Sequence, residues 1–455
     1  MPEKIHKGIS YTLASQVASM GLQFGLSIIL ARGLGSDAYG LYGVVQNAIL
    51  TISWILDLGG SAAVTKYIAD YEAVDDSERA TSVLASTLTL HTLLILLFWL
   101  ILLIFQNDIL RLWFDNNQLL LILFALSTPM LMYINDLVGA LYGFRELKYV
   151  AIRMFLQNFL IVLLNLLCVW YLKMGVQTAT AIYFAVLLLM LITLVGLFRP
   201  LFRDGRLINR FKLQIRQIIL FSLPIGGLNI LEQLIRNAPV LLVKALGAGD
   251  PTVNHRVASL SLAILLSSVA ETVVGMVIKS GSGYMAHWLS VGKKTIYITF
   301  VFIILTVTVL IYGVITVLVF FGMDLFVSVT YGNQYEAILQ FILLTLMVSA
   351  VRSVTMLLRT SLYTMDLSRK AFLASFIEFI LYIVMLFLLT QIEVAPDWSI
   401  RLLQVSLAVG SVKVVILLYQ LFRSFRDRFD IPLSRILKDS IELITSGSLI
   451  PRKIS

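Results

Sequence analysis

Charge is the scarcest commodity in this chain. Asp, Glu, Lys and Arg together make up 13% of its 455 residues, where a water-soluble domain carries roughly 25%. That shortage, with 59% hydrophobic residues and a mean hydropathy of +0.91, excludes an ordinary soluble domain and predicts a polytopic membrane protein. Cysteine is nearly absent. Cys168 stands alone in an apolar run, which excludes a disulfide framework. The four histidines, at 6, 91, 255 and 287, show no metal-ligand spacing. Enzymatic motifs are missing too: there is no HExxH, no G-x-S-x-G and no P-loop. The opening MPEKIHKGIS runs into an apolar stretch too long for a signal-peptide core. The sequence therefore calls for no cofactor and no nucleic-acid partner.

What is present is a series of apolar runs, at about 10–31, 41–63, 81–105, 118–142, 151–172, 177–198, 216–243, 256–278, 295–322, 336–360, 371–391 and 398–422. Each is long enough for a hydrocarbon core of about 30 Å. The expected fold is all-α, with about twelve transmembrane helices and short connections. A polar tail follows and predicts one amphipathic surface helix.

Lys and Arg set the expected orientation. With the N-terminus in the cytoplasm, roughly 25 basic residues fall on the inner side and about five on the outer, namely Arg32, Arg111, Lys173, Arg256 and Arg401. Both termini are then cytoplasmic, in a cell (inner or plasma) membrane. The net charge of +9 is mostly this inner excess, attracted to anionic membrane lipids.

A weak internal repeat divides the chain. The stretch 31-ARGLG-35 matches 243-VKALG-247, and 141-LYGFRELKYVA-151 resembles 362-LYTMDLSRKAF-372, a register that sets Gln157 opposite Glu378. The expectation is an N-terminal six-helix lobe at 8–200, a C-terminal six-helix lobe at 213–423 and a cytoplasmic tail at 424–455. Two such lobes usually enclose a substrate path, here a central cavity.

Ionisable groups inside spans cost about 2.5–3.5 kcal/mol each at a helix centre and usually face a cavity or a partner. The candidates are Asp57, Glu232, Arg236, Glu271, Arg352, Glu378 and Lys413. Asp136, Lys244 and Arg359 lie nearer helix ends, where snorkelling accounts for them. His91 stands alone and reads as a packed residue.

Polar stripes at helical spacing accompany the charges. The seventh span gives Ser222, Gly226, Asn229, Gln233, Arg236 and Lys244; the tenth gives Thr345, Ser349, Arg352 and Arg359; the twelfth gives Ser406, Gly410 and Lys413. The second gives Gln46, Ser53 and Asp57, and the first, uncharged, gives Gln16, Ser19 and Gln23. Such stripes imply a wet cleft. Glu232 and Arg236, four apart, either neutralise one another or place Arg236 before an anionic ligand, with Glu232 as its modulator or a proton carrier. Arg352 and Lys413 have no acidic residue three or four positions away. They read as ligand-facing cations, or else as partners of Asp57 or Glu271 across helices. A guanidinium suits phosphate because its fork binds two oxygens. Pro224, with Gly226 and Gly227, should bend the seventh helix. Ala14, Ala18, Gly21 and Gly25 form a small-residue face on the first, suited to close packing.

Three stretches carry a family likeness. The turn 32-RGLGSDAYGLYG-43, the start 220-LFSLPIGG-227 and the connection 142-YGFRELKYVA-151 resemble elements of the polysaccharide-export flippases. These include O-antigen flippases within the multidrug/oligosaccharidyl-lipid/polysaccharide exporter (MOP) superfamily. The resemblance implies a two-lobed, twelve-helix transporter moving a polyprenyl-diphosphate-linked oligosaccharide from the cytoplasmic to the outer leaflet by alternating access. Coupling to H+ or Na+ through Asp57, Glu232 or Glu271 is open, and glycan-assembly enzymes are conceivable partners. The first helix departs from the lipid II flippase branch, which carries cavity-facing arginines there. Two other readings stay in view: a cation-coupled drug or metabolite antiporter of the same fold, and a polyprenyl-linked sugar polymerase or transferase. The basic residues at 236, 352 and 413 weigh against the first. Connections of no more than about 20 residues weigh against the second.

Overall fold

The computed structural model describes residues 2–203, 215–247, 249–335, 337–365, 367–391 and 398–429. Every extended element in them is helical. In chain order these are α1 Pro2–Leu34, α2 Ser36–Asp57, α3 Gly60–Glu72, α4 Ser77–Ile104, α5 Gln106–Trp113, α6 Gln118–Gly143 and α7 Leu147–Asn165. A π-helical turn, Leu166–Tyr171, continues α7. Then follow α8 Val176–Arg203, α9 Ile215–Leu246, α10 Val253–Ser290, α11 Lys294–Thr330, α12 Ile338–Thr364, α13 Ser368–Gln391 and α14 Trp398–Phe429. Among the described residues, 11 helices are long and apolar enough to cross a membrane, and 12 when the bent α9 is taken as one span. The chain is a multi-pass membrane protein. The tail expected to hold an amphipathic helix lies, beyond Phe429, outside the described residues.

Two features depart from uniform spans. The second apolar run is broken. Asp57 ends α2, and Leu58 and Gly59 take left-handed conformations, with φ of 45° and 79°, before α3 begins. Glycine tolerates that region, whereas a leucine there costs about 1–2 kcal/mol. Helix α9 bends by 47° between Arg216–Leu223 and Gly226–Leu246, at the proline-containing pair 224–225 that the sequence marks for a bend.

The described chain forms two compact units. The first is residues 1–262 with 327–337; the second is 263–326 with 338 onward. In the first unit, α1 lies along α7, α3 against α6, and α9 against α2 and α3. By packing, the seventh span thus belongs with the six before it. The α2–α9 and α3–α9 neighbours make near-backbone contact. A Cβ built on Gly226 would stand 2.1 Å from the Leu58 carbonyl oxygen, and one on Gly59 would stand 2.7 Å from the Ser222 carbonyl oxygen. Helix association in lipid depends on such close approach, because lipid tails offer no hydrophobic incentive for helices to meet. The end of α1 is tied to the turn after α11: the Tyr335 hydroxyl donates to the Ala31 carbonyl (2.8 Å), and the Ser27 and Tyr331 hydroxyls lie 3.0 Å apart.

In the second unit, α12 and α13 pack on α14. Polar side chains stitch its interior. The Tyr312 hydroxyl meets Ser349 Oγ (2.7 Å) and Ser353 Oγ (2.9 Å), and Ser267 Oγ donates to Thr345 Oγ1 (2.7 Å).

One packing expectation fails. Cβ atoms built on Gly21 and Gly25 would meet nothing within 4 Å, so the small-residue face of α1 is not a tight contact. Close approaches fall at other glycines, as where Gly40 of α2 meets the backbone of Asn254.

Candidate functional site

Three groups of charged residues stand out among the described spans. The first is a buried cluster in the first unit. His91, midway along α4, puts Nδ1 2.6 Å from Oδ2 of Asp136 on α6, and Nε2 3.0 Å from the Asp57 carbonyl oxygen at the end of α2. All three residues are buried. The Asp57 carboxylate accepts from Gly59 N (3.2 Å), Ser61 N (3.0 Å) and Ser61 Oγ (3.1 Å), so it caps the first turn of α3. His91 also fixes its neighbour: a Cβ on Gly60 would stand 2.6 Å from the ring. His91 is therefore not the solitary packed residue of the sequence reading. Its partners lie 34 and 45 positions away, beyond any spacing rule within one helix. Asp136 does not snorkel either; it is fully buried.

The second group closes the far end of α9. Lys244 donates to Asp115 Oδ1 (2.6 Å) and Asn254 Oδ1 (2.7 Å), while Asn254 Nδ2 donates to Asp115 Oδ2 (3.0 Å). Lys244 is 2% exposed, so snorkelling does not describe it. It staples α9 to the α5–α6 turn and the start of α10. Arg32, its counterpart in the repeat, is exposed and donates to the Val329 carbonyl.

The third group lies in the second unit. Lys413 on α14 pairs with Glu378 on α13 at 2.7 Å, the two side chains being 2% and 11% exposed. The expectation of an unpaired Lys413 does not hold: Glu378 sits on the neighbouring helix, where spacing within one helix does not reveal it. Arg352 is half-buried and within electrostatic reach of Tyr312 and Tyr382; Glu271 acts on Tyr312 as well.

Of the remaining candidates, Glu232, Arg236, Asn229 and Gln233 lie half-buried along α9 below its bend. Asn237, one turn on from Gln233, donates to Thr51 Oγ1 on α2 (2.9 Å). On α1, Gln16 is half-buried and Gln23 is exposed, donating to Asn158 Oδ1 on α7 (3.4 Å). Arg153 is one of the basic residues counted to the inner side. It lies inside the unit beside Tyr142 and Tyr183 and donates to Gln157, four residues along α7. An i,i+4 Arg–Gln spacing was the available signal.

Only the cluster of Asp57, His91 and Asp136 brings potential metal-ligating atoms together among the described residues, all within 4.8 Å of one another. Both ring nitrogens of His91 are already engaged in hydrogen bonds, so the arrangement as it stands suits a proton better than a metal ion.

Residues 5–282 match the family described as "Polysaccharide biosynthesis protein". The chain belongs to that family. Its fold is that of the MOP-superfamily transporters. The structure resembles an inward-facing multidrug resistance MATE family transporter of the MOP superfamily, with a TM-score of 0.67 at 13% identity, over 95% of this chain and 96% of the other. It resembles the lipid II flippase MurJ in an inward closed conformation, with a TM-score of 0.68 at 15% identity, over 95% and 91%. It resembles a MOP superfamily transporter from Pyrococcus furiosus, with a TM-score of 0.64 at 15% identity, over 92% and 96%. No curated protein matches the chain.

Proposed function

We propose that this protein is a flippase that carries a polyprenyl-diphosphate-linked oligosaccharide from the cytoplasmic to the outer leaflet for surface-glycan assembly. The observation that carries the reading is membership of the polysaccharide biosynthesis family by a chain built entirely, in its described part, of spanning and connecting helices. The likeness in fold to a lipid II flippase supports the class of cargo. A diphosphate needs cations in a membrane. Arg236 in the first unit and Arg352 in the second, each half-buried within a span, are separate candidates for such a contact, by the bidentate geometry of guanidinium. Lys413 is reassigned from ligand to structural pair, because a phosphate would have to displace Glu378. The basic residues of the connections favour a cytoplasmic N-terminus.

The test is reconstitution into liposomes with a fluorescent polyprenyl-diphosphate oligosaccharide and a leaflet-accessibility assay. Time-dependent appearance of the headgroup in the opposite leaflet, lost in Arg352→Ala at unchanged insertion, is the expected result. Absence of flipping by the intact protein, together with pH- or Na+-driven export of a cationic dye, overturns it in favour of an antiporter.

A further inference from the structure

Donor and acceptor counting at His91 fixes more than a contact. A carbonyl oxygen only accepts, so Nε2, 3.0 Å from the Asp57 carbonyl, carries a hydrogen. Nδ1 stands 2.6 Å from a carboxyl oxygen of Asp136. Two lone pairs do not face each other at that distance, so a proton lies between them, the short separation being that of a charge-assisted bond. The other oxygen of Asp136, Oδ1, is buried with no donor among the described residues. An ionised carboxylate with one bare oxygen is costly there. The cost falls when the proton is held and the His91–Asp136 pair is neutral as a whole. The charged groups acting on the ring are Asp136 of α6 and Asp57 at the end of α2.

We propose that His91 and Asp136 form a site for one exchangeable proton, and that its release unlocks the α2–α3 break from the bend in α9. The step is the transfer of the shared proton to water. It leaves imidazole with hydrogen on Nε2 and Asp136 as carboxylate, with the Nδ1 lone pair turned on an anion. The ring must rotate, and Nε2–H then leaves the Asp57 carbonyl. That carbonyl is the last of α2. The next peptide, Leu58–Gly59, is the one pressed against the bend in α9, with the Leu58 oxygen 2.1 Å from a Cβ built on Gly226. The Asp57 carbonyl and the Leu58 carbonyl, on consecutive residues, link the ring to the bend. Its residues are not the arginines considered for the diphosphate, and only the site's use in driving transport rests on the proposed function.

The experiment uses the full chain in liposomes, without any lipid-linked sugar, so its failure is distinguishable from failure of the transport reading. Imidazole 15N signals are assigned with His91→Gln, and protonated carboxyl groups are read by infrared spectroscopy across pH. At neutral pH the wild type should show the shared proton, as a doubly protonated His91 or as a protonated Asp136. Asp136→Asn should abolish it and leave a neutral ring. Hydrogen exchange of the 220–230 backbone, corrected for its intrinsic pH dependence, should rise roughly tenfold in the wild type as the proton leaves, and should be pH-independent in Asp136→Asn. Gly60→Ala supplies a variant that removes no titrating group: its methyl meets the ring and should cause release at lower pH. A neutral His91 facing an ionised Asp136 in the wild type at neutral pH overturns the proposal. So does exchange that ignores the titration, or a 15N response to Na+ or Zn2+ at constant pH.

Discussion

Nζ of Lys413 and Oε2 of Glu378 lie 2.7 Å apart, with the lysine 2% exposed. Removing one member of such a pair strands a charge and typically costs about 3–5 kcal/mol, whereas replacing both with apolar residues can be near neutral. Lys413→Met and Glu378→Gln should each lower membrane abundance and thermal stability in detergent, and the Lys413→Met/Glu378→Met double variant should recover most of the loss. Additive losses would show that the two side chains do not depend on one another.

At Lys244 the two acceptors are unequal in charge but similar in distance. Lys244→Met should destabilise by about 3 kcal/mol, since it leaves the Asp115–Asn254 arrangement without its central donor. Asp115→Asn should cost somewhat less, about 2 kcal/mol, because the buried ammonium loses its anion but keeps Asn254 Oδ1 as an acceptor. The order of the two thermal midpoints checks this, and an inverted order would place the main role with Asp115.

Glycines at the two ends of the size argument give opposite expectations. Gly226→Ala brings a methyl group onto the Leu58 backbone, and should cost about 3 kcal/mol or more, at or beyond the upper end of overpacking penalties. Gly21→Ala and Gly25→Ala meet open space and should stabilise α1 by about 0.5–1 kcal/mol each. Thermal unfolding of the three single variants settles the matter.

For the proposed diphosphate contacts, Arg352→Lys is the informative change. It keeps the charge and loses the fork, so flipping should fall roughly 10-fold, against about 100-fold or more for Arg352→Ala. Equal rates for lysine and arginine would mean that charge alone suffices. If Glu232 serves to neutralise Arg236, the Glu232→Gln/Arg236→Gln double variant should transport better than either single one.

Much of the fold was legible because the bilayer imposes it. Twenty-residue apolar runs admit little besides helices, and proline at 224 sits where α9 bends. The break at Leu58–Gly59 was signalled by its glycines, but not the fact that it ends one helix and starts another. The short α5 went unread, since its eight residues carry no spanning signal. Charge pairing was the weak point. Spacing rules see partners three or four residues away on one helix. Lys413 with Glu378, Lys244 with Asp115 and His91 with Asp136 are separated by 35 to 129 positions, and only the crossing of helices brings them together.

The π-helical turn at Leu166–Tyr171 has a consequence for Gly33. One surplus residue relative to α-helical pitch swings the outgoing side chains round by about 100°. Val169 is thereby driven inward to full burial, its methyl 2.7 Å from where a Cβ on Gly33 would stand. Deleting a single residue from that turn would restore ordinary winding, carry Val169 off toward the lipid, and free position 33 to accept a larger side chain.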